Sequence, residues 1–360
     1  MSRPTQMIID LAALRHNLDR VHELARGRSV MAMIKANAYG HGIVQVAQGL
    51  PSAEGFGVAS LEEAIKLREA GITQNIVLIE GLFYADEIKE AVKHHVTLVV
   101  HHQRHVEMLE KANHIAPFPV WLKINTGMNR LGFAPAEVDT IYARLLACAA
   151  VQKPIGLMTH FAEADVVASH VTAQQIQLFQ QATTHLVGPR SLANSAGILA
   201  WTESHGDCVR PGLMLFGASP FPNKVGIDHG LLPVMTLQSR LIAINSLKKG
   251  EKVGYGGTWA APEEMQVGVV GVGYGDGYPQ CAENGTPTLV NGVECPLVGR
   301  VSMDMLTVDL RHQPHAKLND PVILWGAGLP VERVAKHCHT SAYEILTRMT
   351  PRPKVEVHGY

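Results

Sequence analysis

The sequence predicts an α/β protein in which an N-terminal (β/α)8 barrel of the TIM type is followed by a mostly β domain. Three observations predict this fold class. The chain has 360 residues, apolar runs alternate with amphipathic runs over the first 220, and helical periodicity nearly disappears after about residue 230. Because domains commonly contain about 100–200 residues, this length favours two domains. We expect them to comprise residues 1–230 and 231–360.

The first part of the chain contains eight strand-like runs with helical patterns between them. Met7–Ile9 is the first run, and Asp10 after it is placed to cap a helix. Val30–Ile34 is apolar throughout, as expected for a parallel strand that is buried on both faces. A doubly wound sheet would need a glycine-rich turn after its first strand, and Asp10–Ala13 is not one, so a barrel is favoured. The other six runs are Phe56–Ala59, Ile76–Ile79, Thr97–Val100, Val120–Ile124, Ile155–Met158 and Ser191–Ala193.

The second part of the chain has the pattern of a β domain. Val234–Ile244, Val267–Val272 and Thr288–Val290 are strand-like, and turns rich in Gly, Pro and Asn separate them. A helical pattern returns only at Val331–Lys336. We therefore expect a small sheet with little helix.

Composition and charge restrict the class of function. Lys and Arg number 31 against 32 Asp and Glu, so the formal net charge is -1 and no surface for nucleic acid or anionic membrane is predicted. No apolar stretch approaches the ~20 residues that span a bilayer, and the N-terminus lacks the apolar region of a secretory signal. The five cysteines are scattered without a CxxC pair, which predicts neither a disulfide framework nor structural zinc. We expect a cytoplasmic enzyme that acts on small molecules.

Several polar residues follow the predicted barrel strands, where the chemistry of such barrels is found. Lys35 closes a buried strand, so partial desolvation would lower its pKa and make its amine a nucleophile, although a surface lysine is the alternative. Ser195 and Gly212 could hold a phosphate through hydroxyl and backbone N–H groups, or they could be ordinary turn residues. The other polar residues expected at this rim are Lys123, Arg130, His160, Asn194 and Arg210.

Two further patterns carry little weight. Gly271–Gly277 is rich in glycine, but no βαβ unit follows it, so it does not predict a nucleotide site. His101, His102 and His105 form one cluster, and His337–His339 contains another. The chain has 19 histidines, and such clusters are more often solvated surface than ligands, so no metal is predicted.

The sequence closely resembles the alanine racemases, beginning at Met33–Gly42, which reads MIKANAYGHG. The resemblance covers essentially the whole chain. It implies a pyridoxal-phosphate enzyme with an N-terminal barrel and a C-terminal β domain, which interconverts L-alanine and D-alanine by a two-base mechanism. The D-alanine would supply peptidoglycan or be degraded. The resemblance continues through Lys123–Phe133, Thr159–Ala162, Asn194–Ala196, Arg210–Gly212, Val253–Gly256, Gly273–Gly277 and Gly299–Asp304.

The resemblance also implies roles for the matching residues. Lys35 would carry the cofactor, pyridoxal 5'-phosphate, and act as the base on the D face of the substrate. Tyr255 would be the base on the L face, and in a homodimer it would act at the partner subunit's site. The cofactor would also be bound by Tyr39, His160, Asn194, Ser195, Arg210, Gly212 and Leu213. The substrate would be bound by Arg130, Met303, Tyr274 and Asp304, of which Met303 and Asp304 would come from the partner.

Two positions vary among members of this family. Lys123 stands where some members have a carbamylated lysine, and an unmodified lysine or a nearby chloride is the alternative. Pro351 stands where many members have a tyrosine that contacts the cofactor phosphate. The resemblance therefore leaves that phosphate contact unassigned in this chain.

Other functions on a similar architecture stay open at this point. A racemase of broader specificity would also act on serine or other small amino acids. A decarboxylase of basic amino acids would pair the pyridine nitrogen with a carboxylate, whereas this chain has Arg210. A non-catalytic barrel protein that carries the same cofactor would lack the β domain.

Overall fold

A computed structural model of the chain describes residues 3–112 and 115–359. Its strands fall into two large sheets and one small hairpin. The strands are β1 (Gln6–Asp10), β2 (Ser29–Met33), β3 (Gly55–Val58), β4 (Asn75–Leu78), β5 (Val96–Val100), β6 (Phe118–Lys123), β7 (Val151–Met158), β8 (Arg190–Ser191), β9 (Cys208–Val209), β10 (Met235–Leu247), β11 (Lys252–Val253), β12 (Trp259–Ala260), β13 (Met265–Val270), β14 (Leu289–Val290), β15 (Val293–Glu294), β16 (Leu297–Val298), β17 (Leu306–Asp309), β18 (Pro321–Trp325) and β19 (Lys354–His358).

The helices lie mostly between the strands of the first sheet. They are α1 (Leu11–Leu24), α2 (Lys35–Tyr39), α3 (Ile43–Gly49), α4 (Leu61–Glu69), α5 (Glu87–Lys93), α6 (Gln103–Lys111), α7 (Val138–Ala147), α8 (Val171–Thr183), α9 (Ser195–Ala200), α10 (Val331–His337) and α11 (Ala342–Thr347). The segment named α2 contains a left-handed turn rather than a regular helix.

The first sheet is the predicted (β/α)8 barrel, and that prediction of the fold class is confirmed. Within the described residues its eight strands are all parallel and follow the order β8-β7-β6-β5-β4-β3-β2-β9. Backbone hydrogen bonds bring the two end strands together. The N–H of Asp207 donates to the Arg190 carbonyl at 2.8 Å, and the N–H of Arg210 donates to the Ala193 carbonyl at 2.9 Å. The barrel is thereby nearly closed.

One predicted barrel strand is wrong. Met7–Ile9 forms a strand as expected, and Asp10 caps α1 by accepting from the Ala12 and Ala13 N–H groups. However, β1 pairs antiparallel with β10 and parallel with β19, so it belongs to the second sheet. The barrel instead contains β9, which is two residues long and pairs with β2.

The second sheet forms the mostly β part of the chain. Its main path is β15-β14-β18-β10-β13-β17-β16, with β1 beside β10 and β19 beside β1. β10 is 13 residues long, and it reaches β1, β13 and β18. The first strand of the chain contributes to this second sheet. The division of the chain into two domains at residue 230 stays a prediction.

Helix α11 packs directly on the segment that follows β2. A Cβ atom at Gly40 would lie 2.1 Å from the Leu346 carbonyl oxygen, and Gly40 has a φ angle of +83°. Only glycine combines this backbone conformation with such a close approach. The contact fixes the C-terminal helix against the loop that begins with Lys35.

In the described part of the chain, no helix is both long enough and apolar enough to span a membrane. All five cysteines are free thiols.

Candidate active site

Lys35 begins a turn whose backbone is left-handed. The φ angles of Ala36, Asn37, Ala38 and Tyr39 lie between 52° and 54°. This conformation costs each residue that has a Cβ roughly 1–2 kcal/mol in free energy. Contacts from the surrounding structure must therefore hold the turn.

Side chains outside and inside the turn provide those contacts. Glu63 accepts a hydrogen bond from the Asn37 N–H at 3.0 Å. The buried His41 ring donates from Nδ1 to the Ala38 and Tyr39 carbonyls, at 3.0 and 2.9 Å. Burial lowers the pKa of His41 to about 4, so the ring is neutral at neutral pH. A neutral ring that bonds two carbonyls stabilises the turn without adding a buried charge.

Lys123 ends β6 and is buried within the barrel. Burial and then the positive charges of Arg210, Arg130 and Lys35 lower the pKa of Lys123 to about 8. About a tenth of the amine is therefore neutral at pH 7, and the neutral amine is the form that reacts with carbon dioxide. Carbamylation of Lys123 stays a prediction.

Arg210 is buried and makes its hydrogen bonds to neutral groups. Its guanidinium donates to the Ser191 hydroxyl and the Thr159 carbonyl, both at 2.6 Å. It also donates to His160 Nδ1 at 3.4 Å. Burial lowers the pKa of Arg210 to about 10, while burial and the Arg210 charge lower the pKa of His160 well below its usual value. At neutral pH the pair is a cation beside a neutral imidazole.

Ser195, Gly212 and Tyr39 lie together at the same rim. Ser195 Oγ accepts from the Gly212 and Met214 N–H groups, at 3.0 and 3.3 Å. The Leu213 N–H has no acceptor among the described residues. A Cβ atom at Gly212 would lie 2.5 Å from the Tyr39 hydroxyl oxygen, so glycine lets the Tyr39 hydroxyl approach this backbone closely. Hydroxyl groups and a free backbone N–H gathered in one place suit a phosphate group.

Sequence reasoning missed Glu80, which lies just beyond β4. Glu80 Oε1 is 3.9 Å from Lys35 Nζ, and its charge raises the pKa of Lys123 against the larger lowering effects. Its position two residues after a strand end is the signal that could have found it. Glu80 only partly offsets a cationic cluster formed by Lys35, Lys123, Arg130 and Arg210.

Two histidines of the first cluster, His101 and His105, are buried, which corrects the expectation for them, whereas His102 is exposed as expected. The His101 ring donates to the Glu80 carbonyl at 2.8 Å, and the His105 ring donates to the Leu82 carbonyl at 2.9 Å. Both residues are buried. They support the loop that carries Glu80.

Tyr255 and Met303 lie in the second domain, away from hydrogen-bond contact with Lys35. Their side chains are 72% and 53% exposed. Tyr255 is in a short turn after β11, and a small hydrophobic cluster that includes Val253 supports this hairpin. A single chain therefore presents both residues on its surface.

Tyr274 and Asp304 are held by a cluster of ion pairs. Asp276, which is fully buried, pairs with Arg3 at 2.7 Å, and Arg352 donates to Asp304 at 2.6 Å. The N–H of Tyr274 donates to the Ser302 carbonyl at 3.1 Å, which joins this turn to the segment before Asp304. The Asp304 carboxylate is thus bound within its own chain.

Asn194 has a structural contact of its own. It caps α9, where its side-chain oxygen accepts from the Gly197 N–H at 2.9 Å. Pro351 is exposed in a bend after α11. Sequence reasoning missed Tyr343, whose ring lies beside Tyr39 with the centroids 5.9 Å apart.

The barrel, its strand-end lysine and the mostly β second domain together define a class of two-domain barrel enzymes. Family comparison agrees over both parts of the chain. Residues 9–220 match the alanine racemase N-terminal domain, and residues 234–357 match the alanine racemase C-terminal domain. The chain belongs to the alanine racemase family.

Individual relatives resemble the chain over nearly its whole length. It is 52% identical to the alanine racemase of Shewanella piezotolerans, over 96% of this chain and 97% of that protein. The biosynthetic alanine racemase of Pseudomonas aeruginosa has a similar crystal structure, with a TM-score of 0.96 and 42% identity over 99% of this chain and 100% of that one. The Bartonella henselae alanine racemase, with a TM-score of 0.88 and 25% identity over 99% of both chains, contains covalently bound pyridoxal phosphate.

Proposed function

We propose that this protein is an alanine racemase that interconverts L-alanine and D-alanine with pyridoxal 5'-phosphate as its cofactor. The observation that carries the proposal is the cationic cluster around Lys35, together with the group of phosphate-binding candidates formed by Ser195, Gly212 and Tyr39. Both the cofactor and the amino-acid substrate carry anionic groups, and the site has an excess of positive charge.

The residues present fit this cofactor at two ends. Ser195, Tyr39 and the free Leu213 N–H would hold its phosphate, since the Tyr39 hydroxyl packs on Gly212 and Ser195 Oγ accepts from the Gly212 N–H, which brings these groups together. Arg210 would face the pyridine nitrogen, because its guanidinium is buried and has no acidic partner among the described residues. When bound, pyridoxal 5'-phosphate supplies the electron sink that stabilises the substrate after its α-proton is removed.

Two bases on opposite faces of the substrate account for inversion of one stereocentre. The Lys35 amine would remove or return the α-proton on the D face, and the Tyr255 hydroxyl would do so on the L face. Arg130, which is exposed and forms no hydrogen bond with the other described residues, would bind the substrate carboxylate. Positioned acid–base groups of this kind each contribute roughly 10²–10⁴-fold to the rate.

A homodimer would bring Tyr255 to the Lys35 site of the partner subunit. Tyr255 and Met303 support this arrangement because they are exposed in one chain, at 72% and 53%. Covering exposed apolar side chains favours association. Sedimentation should therefore detect a dimer, and a fully active monomer would contradict the assignment of Tyr255 to the partner's site.

We also propose that the enzyme acts in the cytoplasm. Its five cysteines are free thiols, and one of them, Cys281, is exposed. A reducing compartment preserves exposed thiols.

The proposal is tested by incubating the purified protein and pyridoxal 5'-phosphate with L-alanine and separating the enantiomers by chiral chromatography. We expect drift to an equal mixture, and we expect Lys35→Ala to abolish it. Lys66→Ala, which alters an exposed lysine on α4, is the matched control and should leave the rate unchanged. A protein that binds the cofactor but produces no D-alanine would contradict the function.

A further inference from the structure

The group formed by Ser195, Gly212 and Tyr39 has a second tyrosine beside it. Tyr343 is on α11 of the second domain, and its ring lies at a centroid distance of 5.9 Å from the ring of Tyr39. The close contact between Gly40 and the Leu346 carbonyl fixes α11 against the turn that carries Tyr39. The position of Tyr343 is therefore set by backbone packing and not by a flexible tail.

The Tyr343 hydroxyl is also free to bind a ligand. Neither Tyr343 nor Tyr39 donates its hydroxyl hydrogen to another described residue. Tyr343 and Leu213 both line a cavity of about 590 Å³, so the tyrosine lies close to the residue whose N–H is free. A tyrosine hydroxyl has an ordinary pKa of ~10, so it is protonated and able to donate at neutral pH.

We propose that Tyr343 is a further cofactor-binding residue, whose hydroxyl donates to the phosphate of the cofactor alongside Tyr39. This inference rests on the proposed function. It assigns the contact that Pro351 cannot make, because proline has no side-chain donor and Pro351 is exposed beyond α11. In this chain the donor comes from inside the C-terminal helix, eight residues earlier.

The test compares two forms of the cofactor on Tyr343→Phe, which keeps the ring and removes only the hydroxyl. Cofactor-free protein is titrated with pyridoxal 5'-phosphate and, separately, with pyridoxal, which lacks the phosphate, and binding is followed by absorbance. The variant would lose a hydrogen bond to a charged group. We therefore expect the apparent Kd for pyridoxal 5'-phosphate to rise by roughly tenfold or more. The apparent Kd for pyridoxal should stay within about twofold of wild type.

Tyr142→Phe is the matched control. Tyr142 is on α7, and its hydroxyl donates to the Val187 carbonyl at 2.6 Å and not to any group at the site. It should leave both titrations unchanged. Equal weakening of both cofactor forms in Tyr343→Phe would show a packing effect and overturn the inference, as would an unchanged affinity for pyridoxal 5'-phosphate. If wild-type protein neither bound the cofactor nor racemised alanine, the proposed function would fail first, and this inference with it.

Discussion

Lys123 shows how a single buried charge affects both chemistry and stability. The pKa of Lys123 is lowered from 10.5 to about 8, first by burial and then by the cations around it. Below about pH 8 the ammonium is charged in both the folded and the unfolded chain, and the folded chain bears the full cost of burying it. Between about pH 8 and 10.5 only the unfolded chain keeps the proton, so stability rises with pH.

Replacing Lys123 with methionine removes this titration. In cofactor-free protein and buffer free of carbon dioxide, we expect Lys123→Met to raise the free energy of unfolding at pH 7 by roughly 2–3 kcal/mol. The gain should shrink towards pH 10. Urea unfolding at several pH values measures it, with the exposed Lys66→Met as the control. If the gain in the free energy of unfolding did not depend on pH, it would not come from the titration of Lys123.

Gly212 makes a second prediction about a single residue. An alanine Cβ there would lie 2.5 Å from the Tyr39 hydroxyl oxygen and would push that hydroxyl away. We expect Gly212→Ala to fold but to weaken binding of pyridoxal 5'-phosphate by about 100-fold, since the displaced Tyr39 hydroxyl and the Leu213 N–H would no longer bind the phosphate together. Absorbance titration checks the affinity, and unchanged binding would argue against this location of the phosphate.

The left-handed turn after β2 depends on its contact with α11. Gly40 and Gly71 have similar φ angles, +83° and +80°, but a Cβ at Gly71 would meet nothing within 4 Å. The two positions therefore separate the cost of a left-handed backbone from the cost of a clash. The clash at Gly40 is with the Leu346 carbonyl oxygen, which belongs to backbone and cannot rotate away.

We expect Gly71→Ala to lower the free energy of unfolding by about 1–2 kcal/mol through its backbone conformation alone. Gly40→Ala should cost at least about 2 kcal/mol more and should also weaken cofactor binding, because α11 and the Lys35 turn must move apart. Denaturant unfolding and absorbance titration measure the two effects. Equal losses for both variants would mean that α11 does not support the turn.

The sequence predicted most elements of the barrel and much of its rim, and the exceptions have physical reasons. The apolar pattern of Met7–Ile9 specifies a strand but does not specify which sheet it joins. Cys208–Val209 is too short to show any periodicity. Lys35, Lys123 and Ser195 could be expected at strand ends, whereas Tyr343 reaches the rim from a helix about 300 residues after Tyr39. Only tertiary packing brings those two rings together.

At the scale of the whole molecule, the proposed site is divided between two subunits. If Lys35 and Tyr255 serve one site from different chains, two inactive variants should complement each other. A hybrid dimer of Lys35→Ala and Tyr255→Phe chains contains one site with both changes and one site with neither. Random pairing should restore about a quarter of the wild-type activity.

The experiment mixes the two variants, dissociates and reassociates them, and follows racemisation of L-alanine. Each variant taken through the same treatment alone is the control. Activity that stayed at the level of the separate variants, despite hybrid dimers detected by mass, would place both bases on the same chain.

The location of β1 has a consequence for how the chain is made. β1 is complete when residue 10 is synthesised, but its partners β10 and β19 begin only at residues 235 and 354. At roughly 5–20 residues per second, the ribosome reaches β10 on the order of 10–50 s later. During that interval β1 is a strand without a neighbour, tethered to a barrel that is assembling beside it. A protein fragment that ends at residue 230 would lack β10 and β19. Its β1 strand would keep an unpaired edge, and the fragment would be prone to aggregation.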